Sequence, residues 1–328
     1  MQQAAELLRR SNKILLSGHS RADGDCLGAQ IVLLHAARAL GKQAEILLPD
    51  PPDGRYGFLK ASTPWRVWEG HLPAADLLIV CDCNQLSRLG AMAAPIQTSG
   101  MPRIAVDHHV LEPNQGWTAL VHDLQASASG TLALRFVEEE FGLHELPLAA
   151  YEAAFVALMT DTGWLKYSNA IPEAWEAASR LARRGLDTAR LHALIYSQAE
   201  AGRPAGIRAA LEHLEYLAEG RLALAWVSVE DLERVSGTLE DTDELLDLLR
   251  AVGRVEGVGL VTERGDGRVK ASFRSKTSLD VHRIAKQLGG GGHVRASGTS
   301  FAPGVSIAQA VAQTRSALLQ GWSEQRLS

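Results

Sequence analysis

Residues 18–25 read Gly-His-Ser-Arg-Ala-Asp-Gly-Asp, which places one imidazole, His19, and two carboxylates, Asp23 and Asp25, directly behind the apolar run at 14–16. Carboxylates this close repel one another and raise each other's pKa, so cations are the economical reason to gather them. Asp25 alone could be a helix N-cap, since Asp favours helix starts. Two more sites repeat the pattern. Asp82 ends the run at 76–81, and Asp107-His108-His109 follow the run at 103–106. A mixed set of carboxylates and imidazoles suits Mn²⁺, with Mg²⁺ or Co²⁺ as alternatives.

The elements that must hold these residues follow from periodicity. Short apolar runs at 13–17, 44–48, 76–81 and 103–106 alternate with a helix-period segment at 27–40, which implies a mostly parallel, doubly wound α/β sheet covered on both faces. Ligands of such sheets bind outside the carboxyl ends of the strands, where His19, Asp82 and Asp107 all fall. Helices are expected at 129–141 and 148–159, the second delivering Asp161 at its C-terminal end. Helices alone follow at 172–184, 188–197 and 204–214. Strand-like runs resume at 221–227, 256–262 and 268–273, the last two joined by a hairpin turn at 264–267, and a helix at 279–288 stops at a glycine run. The expected layout is a first domain at 1–185, a helical linker at 186–218 and a smaller α/β domain at 219–328.

The later part carries its own chemistry. Gly290, Gly291 and Gly292 precede His293 and bare their backbone N–H groups where an anion can approach, although a glycine run after a helix is also an ordinary turn. Arg274 can clamp a phosphate bidentately, and Lys276, His293, Arg295 and Ser297 add donors. The 328 residues carry a net charge of −5, which argues against a broad basic face for long duplexes and favours a short or small anionic partner. Cys26, Cys81 and Cys83 form no CxxC pair, and the first thirteen residues lack the apolar core of a signal or a membrane span. A reducing, cytoplasmic setting is therefore expected.

His-x-x-x-Asp-Gly-Asp from His19, a lone Asp82 after a strand, Asp107-His108-His109 and Thr160-Asp161-Thr162-Gly163 occur in the order that resembles the DHH phosphoesterase family. Residues 272–276, 280–281 and 289–293 resemble its C-terminal DHH-associated domain, so the likeness covers nearly the whole chain. Length, two-domain layout and residues 162–169 are most similar to the branch of nanoRNases that also dephosphorylate 3′-phosphoadenosine 5′-phosphate (pAp).

That resemblance implies roles residue by residue. His19 and Asp23 would hold one divalent ion, Asp25, His108 and Asp161 a second, and Asp82 would bridge. Asp107 and His109 would orient the ligating His108 and contact the phosphate, and Arg88 matches an arginine near the phosphate. The glycine run with Arg274, Lys276, His293, Arg295 and Ser297 would recognise substrate. The implied reaction is hydrolysis of short single-stranded oligoribonucleotides to mononucleotides and of pAp to AMP and phosphate, by a water activated between two ions about 3.5–4 Å apart. A phosphodiesterase for cyclic di-AMP or a linear dinucleotide is the alternative within the family. A module that binds RNA ends around a non-catalytic metal is the alternative of another class. A homodimer is compatible with the sequence.

Overall fold

The computed structural model describes residues 1–239 and 242–326. Its contacts divide the chain into two units, Met1–Gln198 and Ala199–Ser328.

The first unit runs α1 (Gln2–Arg10), β1 (Lys13–Gly18), α2 (Gly24–Ala39), β2 (Gln43–Leu48), α3 (Gly57–Ser62), β3 (Trp65–Val67), β4 (Leu77–Cys81), α4 (Ala93–Thr98), β5 (Arg103–Asp107), β6 (Ala119–His122), α5 (Ser129–Phe141), α6 (Leu148–Asp161), α7 (Pro172–Ala182) and α8 (Thr188–Tyr196). The six strands pair in the order β3-β2-β1-β4-β5-β6, every pair parallel. Alternation along the strands assigns the faces. Ile14 and Leu16 of β1 and Leu77, Ile79 and Cys81 of β4 turn to the side covered by α2, α5 and α6, while Leu15, Leu78 and Val80 turn to the side covered by Met92 and Ile96. Both faces are covered, so the sheet is doubly wound.

Helix α2 is apolar nearly all round because it is sandwiched, with thirteen of its sixteen residues buried. Close approach there depends on glycine. A Cβ on Gly28 would stand 2.5 Å from the Ala153 carbonyl oxygen, and one on Gly130 would stand 2.3 Å from the Ala157 methyl.

The second unit runs α9 (Arg203–Glu212), β7 (Glu215–Leu217), β8 (Leu222–Val227), α10 (Val229–Arg234), α11 (Asp243–Arg250), β9 (Gly257–Glu263), β10 (Val269–Ser275), α12 (Val281–Gln287), β11 (Gly291–Gly292), β12 (Ala296–Ser300) and α13 (Ile307–Arg326). Its sheet, β11-β12-β10-β9-β8-β7, is antiparallel except for the parallel pair β8–β9. Leu222, Leu224 and Phe273 face α12 and α13 on one side, and Ala223, Ala225 and Leu260 face α9 and α11 on the other.

The segment 186–218, expected as a helical linker, is divided between the two units. Helix α8 buries Leu191 and Ile195 in the core of the first, and α9 buries Ala209 and Ala210 in a core of the second. The break accordingly falls after Gln198, not at 185.

Candidate metal centre

The strand order reverses between β1 and β4, so the loops leaving those neighbours diverge and open a crevice beyond the carboxyl ends. His19 is the first residue past β1 and Asp82 the first past β4, while β5 ends on Asp107 with His108 and His109 behind it. Asp82 adopts a left-handed backbone conformation, φ 56°, which costs a non-glycine residue roughly 1–3 kcal/mol. Its N–H donates to the Val106 carbonyl at 2.8 Å, and the turn folds the side chain inward, to 5% exposure.

On the next element, Asp23 rather than Asp25 caps α2, accepting from the N–H groups of Asp25 and Cys26 at 3.1 Å. This frees the Asp25 carboxylate to turn into the site. It is buried against the start of α5, accepting from the N–H of Ser129 at 2.7 Å and of Gly130 at 2.8 Å. Asp161 arrives at the C-terminal end of α6. Beyond it the chain turns through three consecutive left-handed residues, Gly163, Trp164 and Leu165. That turn is held by the Thr162 hydroxyl, which accepts from the Leu165 N–H at 3.1 Å, and by the Trp164 indole packed edge-on to Phe155 and His192.

Three groups of ligand atoms result: His19 with Asp23 and Asp82; Asp25 with His108 and Asp161; and Asp82 with His108 and His109. The first two are the two ligand sets expected for a pair of ions, brought together from four separate stretches of sequence. Asp82 is divided between them. Its Oδ2 lies 3.3 Å from His19 Nε2, and its Oδ1 lies 3.7 Å from His108 Nε2.

His108 tests whether cations fit. Its Nδ1–H donates to the Ala126 carbonyl at 2.8 Å, which leaves Nε2 as the ring atom turned to the site, where it can offer a lone pair to an ion. That nitrogen is buried without a hydrogen-bond partner, facing carboxylate oxygens of Asp25, Asp82 and Asp161 at 3.7, 3.7 and 3.8 Å. A buried polar atom left alone costs about 1–3 kcal/mol, and a lone pair aimed at three carboxylates has no favourable partner but a cation. Spacings of this size are too long for hydrogen bonds and suit donors that share one ion, each about 2.0–2.2 Å from it. The residues therefore fit divalent ions.

The electrostatics agree. Burial, then the charges of Asp82 and Asp161, push the Asp25 carboxyl well above the usual range. Burial together with Asp82 and Asp23 lifts Asp161 to about 6 against the pull of His108. Two like charges 4 Å apart repel by about 4 kcal/mol at an effective dielectric of 20, so positive charge among this set offsets the cost of ionising it. Asp107 stands apart. Burial raises its carboxyl, but the hydrogen bond and charge of His109 and the Asn84 amide outweigh it and hold it at about 2. His109 Nδ1 lies 2.8 Å from Asp107 Oδ1, which makes Asp107 the partner that orients His109.

Arg88 is exposed, and its carbonyl accepts the Ser20 N–H at 2.7 Å, which ties the arginine loop to the loop that carries His19. In the second unit, β11 and β12 form a hairpin whose turn is closed by the His293 N–H on the Ala296 carbonyl at 2.8 Å. Arg274 lies across from Ala296 on the neighbouring strand β10, and Arg295 is exposed on the turn. Ser297 is turned inward, donating to the His293 carbonyl at 2.6 Å, and the Lys276 ammonium donates to the Val252 carbonyl at 2.8 Å. Gly290 and Gly292 press on the β12 backbone, whereas a Cβ on Gly291 would meet nothing within 4 Å. The structure thus gathers Gly291, Gly292, His293, Arg295 and Arg274 around one hairpin, and it places Lys276 and Ser297 in internal hydrogen bonds.

The sequence pattern of the DHH family, N-terminal domain, matches residues 13–160, and that of the DHHA1 domain matches residues 230–318. Over 94% of this chain and 90% of the relative, the sequence is 30% identical to the bifunctional oligoribonuclease and PAP phosphatase NrnA of Thermus thermophilus. The chain belongs to the DHH phosphoesterase family. This DHH phosphoesterase is also 24% identical, over 95% of its length and 48% of the relative's, to the cyclic-di-AMP phosphodiesterase GdpP of Geobacillus thermodenitrificans. Its fold is that of an exopolyphosphatase-related protein from Bacteroides fragilis, with a TM-score of 0.91 at 20% identity over 99% and 97% of the two chains.

Several residues of the DHH site are not singled out by the sequence. Asn84 donates to Asp107 and to the Val110 carbonyl, and His122, which the sequence leaves structural, brings its Nε2 to 2.7 Å from the His109 carbonyl. Ser129, readable only as a helix start, donates its hydroxyl to Asp82 Oδ1 at 3.0 Å. Asn169, by contrast, lies in the 162–169 stretch that carries the family likeness, and it donates to Asp161 Oδ2 at 2.9 Å. The available signal is positional: small polar residues stand just beyond a strand end or at the start of a helix that meets the crevice. Among the described residues no helix is long and apolar enough to cross a membrane.

Proposed function

We propose that this DHH phosphoesterase hydrolyses short oligoribonucleotides to mononucleotides and removes the 3′-phosphate of pAp, using two divalent ions of which Mn²⁺ is the first candidate. The observation that carries the reading is the division of Asp82 between two ligand groups, His19 with Asp23 and His108 with Asp25 and Asp161. Ions held there would supply charge for the attacking and leaving oxygens of an in-line displacement and lower the pKa of the attacking water. His109, oriented by Asp107, would hold a nonbridging phosphoryl oxygen with Arg88. Arg274, His293, Arg295 and the open backbone at Gly291 would bind a further phosphate or base of the substrate. Support for the substrate comes from the end-to-end match to the Thermus thermophilus NrnA, whose name gives both activities. Three free buried cysteines support a reducing cytoplasmic setting.

A cyclic-di-AMP phosphodiesterase is the second reading, favoured by the match to GdpP across 95% of this chain. The metal-stripped protein, reloaded with Mn²⁺, is to be assayed under one set of conditions on pAp, RNA di- to pentamers, a 24-mer, linear diadenylate and cyclic di-AMP. Turnover of pAp and the shortest RNAs ahead of the 24-mer and the cyclic substrate is expected. Preference for cyclic di-AMP would replace the first reading by the second, and tight binding of RNA without turnover would remove the enzyme assignment for these substrates.

A further inference from the structure

The segment 126–130 bonds three of the six candidate ligands directly and a fourth through Asn169, without supplying a ligand itself. The Ala126 carbonyl accepts from His108 Nδ1 at 2.8 Å. The Ser127 hydroxyl donates to the Asn169 carbonyl at 2.8 Å, and the Asn169 amide donates to Asp161 Oδ2 at 2.9 Å. The N–H groups of Ser129 and Gly130 hold the two oxygens of Asp25, and the Ser129 hydroxyl holds Asp82 Oδ1. Ser129 is fully buried. It is the one residue of the segment that binds a ligand of the second group, Asp25, through its backbone and the shared ligand, Asp82, through its side chain.

We propose that Ser129 is a positioning residue that fixes Asp82 and Asp25 relative to each other, so that both ion sites are set by one hydroxyl and one amide at the start of α5. The physical reason lies in the shared carboxylate. Asp82 sits on a strained left-handed turn, and its inward oxygen faces two imidazoles, His108 at 3.7 Å and His109 at 3.4 Å. Without the Ser129 hydroxyl, nothing on the side of α5 directs Oδ1, and the carboxylate can rotate toward His109. That rotation withdraws an oxygen from the His108 group and turns the other away from His19, so both sites loosen together. Ser127 differs because its hydroxyl acts only through Asn169 on Asp161, a member of the second group alone.

This inference rests on the two-ion reading above, and its test separates the two. Metal-stripped parent, Ser129→Ala and Ser127→Ala proteins are titrated calorimetrically with Mn²⁺, with no substrate present, and their metal-free melting temperatures are recorded. The parent is expected to bind two ions; a parent that binds none overturns the two-ion reading itself. Removing a supporting hydrogen bond typically weakens metal binding 10–100-fold. Ser129→Ala should show a loss of about that size at both sites, and Ser127→Ala at one. If Ser129→Ala does not fold, Ser129→Gly, which also removes the hydroxyl and keeps the backbone N–H, is read in the same titration. Parent-like Mn²⁺ affinity at both sites in the Ser129 variant, even with a lowered metal-free melting temperature, would overturn the proposal and leave Ser129 a helix-start residue only. A loss confined to one site would also overturn it.

Discussion

At the scale of the residue, the site depends most on Asp82, because one of its oxygens faces His19 at 3.3 Å and the other faces His108 at 3.7 Å, one member of each ligand group. Asp82→Ala is expected to lower turnover by more than the roughly 10–100-fold typical of a supporting residue and to remove both ions. Asp23→Ala, which strips one group only, should leave about one Mn²⁺ per chain. Metal content by elemental analysis, set beside turnover, checks both, and near-normal activity in Asp82→Ala would falsify the shared-ligand assignment. The ligand types are legible in the sequence, since His19, Asp82, Asp107 and Asp161 stand at ends of periodic segments where side chains converge. Which aspartate caps α2 was not legible. Asp23 and Asp25 are both suited to a helix start, and only the arrival of α5, more than a hundred residues later in the chain, gives Asp25 two N–H donors and leaves the cap to Asp23.

At the scale of the element, the site depends on how closely α5 and α6 approach α2. Gly130 allows that approach and also donates its N–H to Asp25, so packing and ligand placement meet at one position. Gly130→Ala would put a methyl 2.3 Å from that of Ala157, and helix α5 must then withdraw. Overpacking of this kind costs about 1–3 kcal/mol. At roughly 2–4 °C per kcal/mol for a unit of this size, the expected fall in metal-free melting temperature is about 2–12 °C. Mn²⁺ binding should weaken with it, because the withdrawal of α5 carries the Ser129 and Gly130 N–H groups away from the Asp25 oxygens. An unchanged melting curve would show that the helices separate without strain. Long elements were readable from pattern, whereas β3 and β6, of three and four residues, are too short to display an alternation. The left-handed turn at 163–165 was hidden for another reason. Trp164 and Leu165 carry no local preference for positive φ, and their conformation is enforced by packing of the indole against residues distant in sequence.

At the scale of the whole molecule, the candidate ligands all lie in Met1–Gln198, while Ala199–Ser328 has cores and a sheet of its own. The helical stretch between them gives no sign in the sequence of which unit it joins, because α8 and α9 each bury only a few residues, Leu191 and Ile195 in one and Gly206, Ala209 and Ala210 in the other, and a helix pattern does not name the core it meets. Separate cores and one-sided ligands lead to a calorimetric expectation for the intact chain. Unfolding should show two transitions, and Gly130→Ala identifies the first unit's by lowering it alone. An ion that binds only the folded state stabilises by about 2.7 kcal/mol at a free concentration one hundred times its dissociation constant. For the first unit this corresponds to a rise of about 5–11 °C per ion bound at that saturation. The second unit holds no candidate ligand group among the described residues, so its transition should stay where it is. Scanning calorimetry of the metal-stripped protein with and without Mn²⁺ measures both shifts. Equal movement of the two transitions would mean that the ions stabilise the second unit as much as the first, and the assignment of the whole metal centre to the first unit would have to be abandoned.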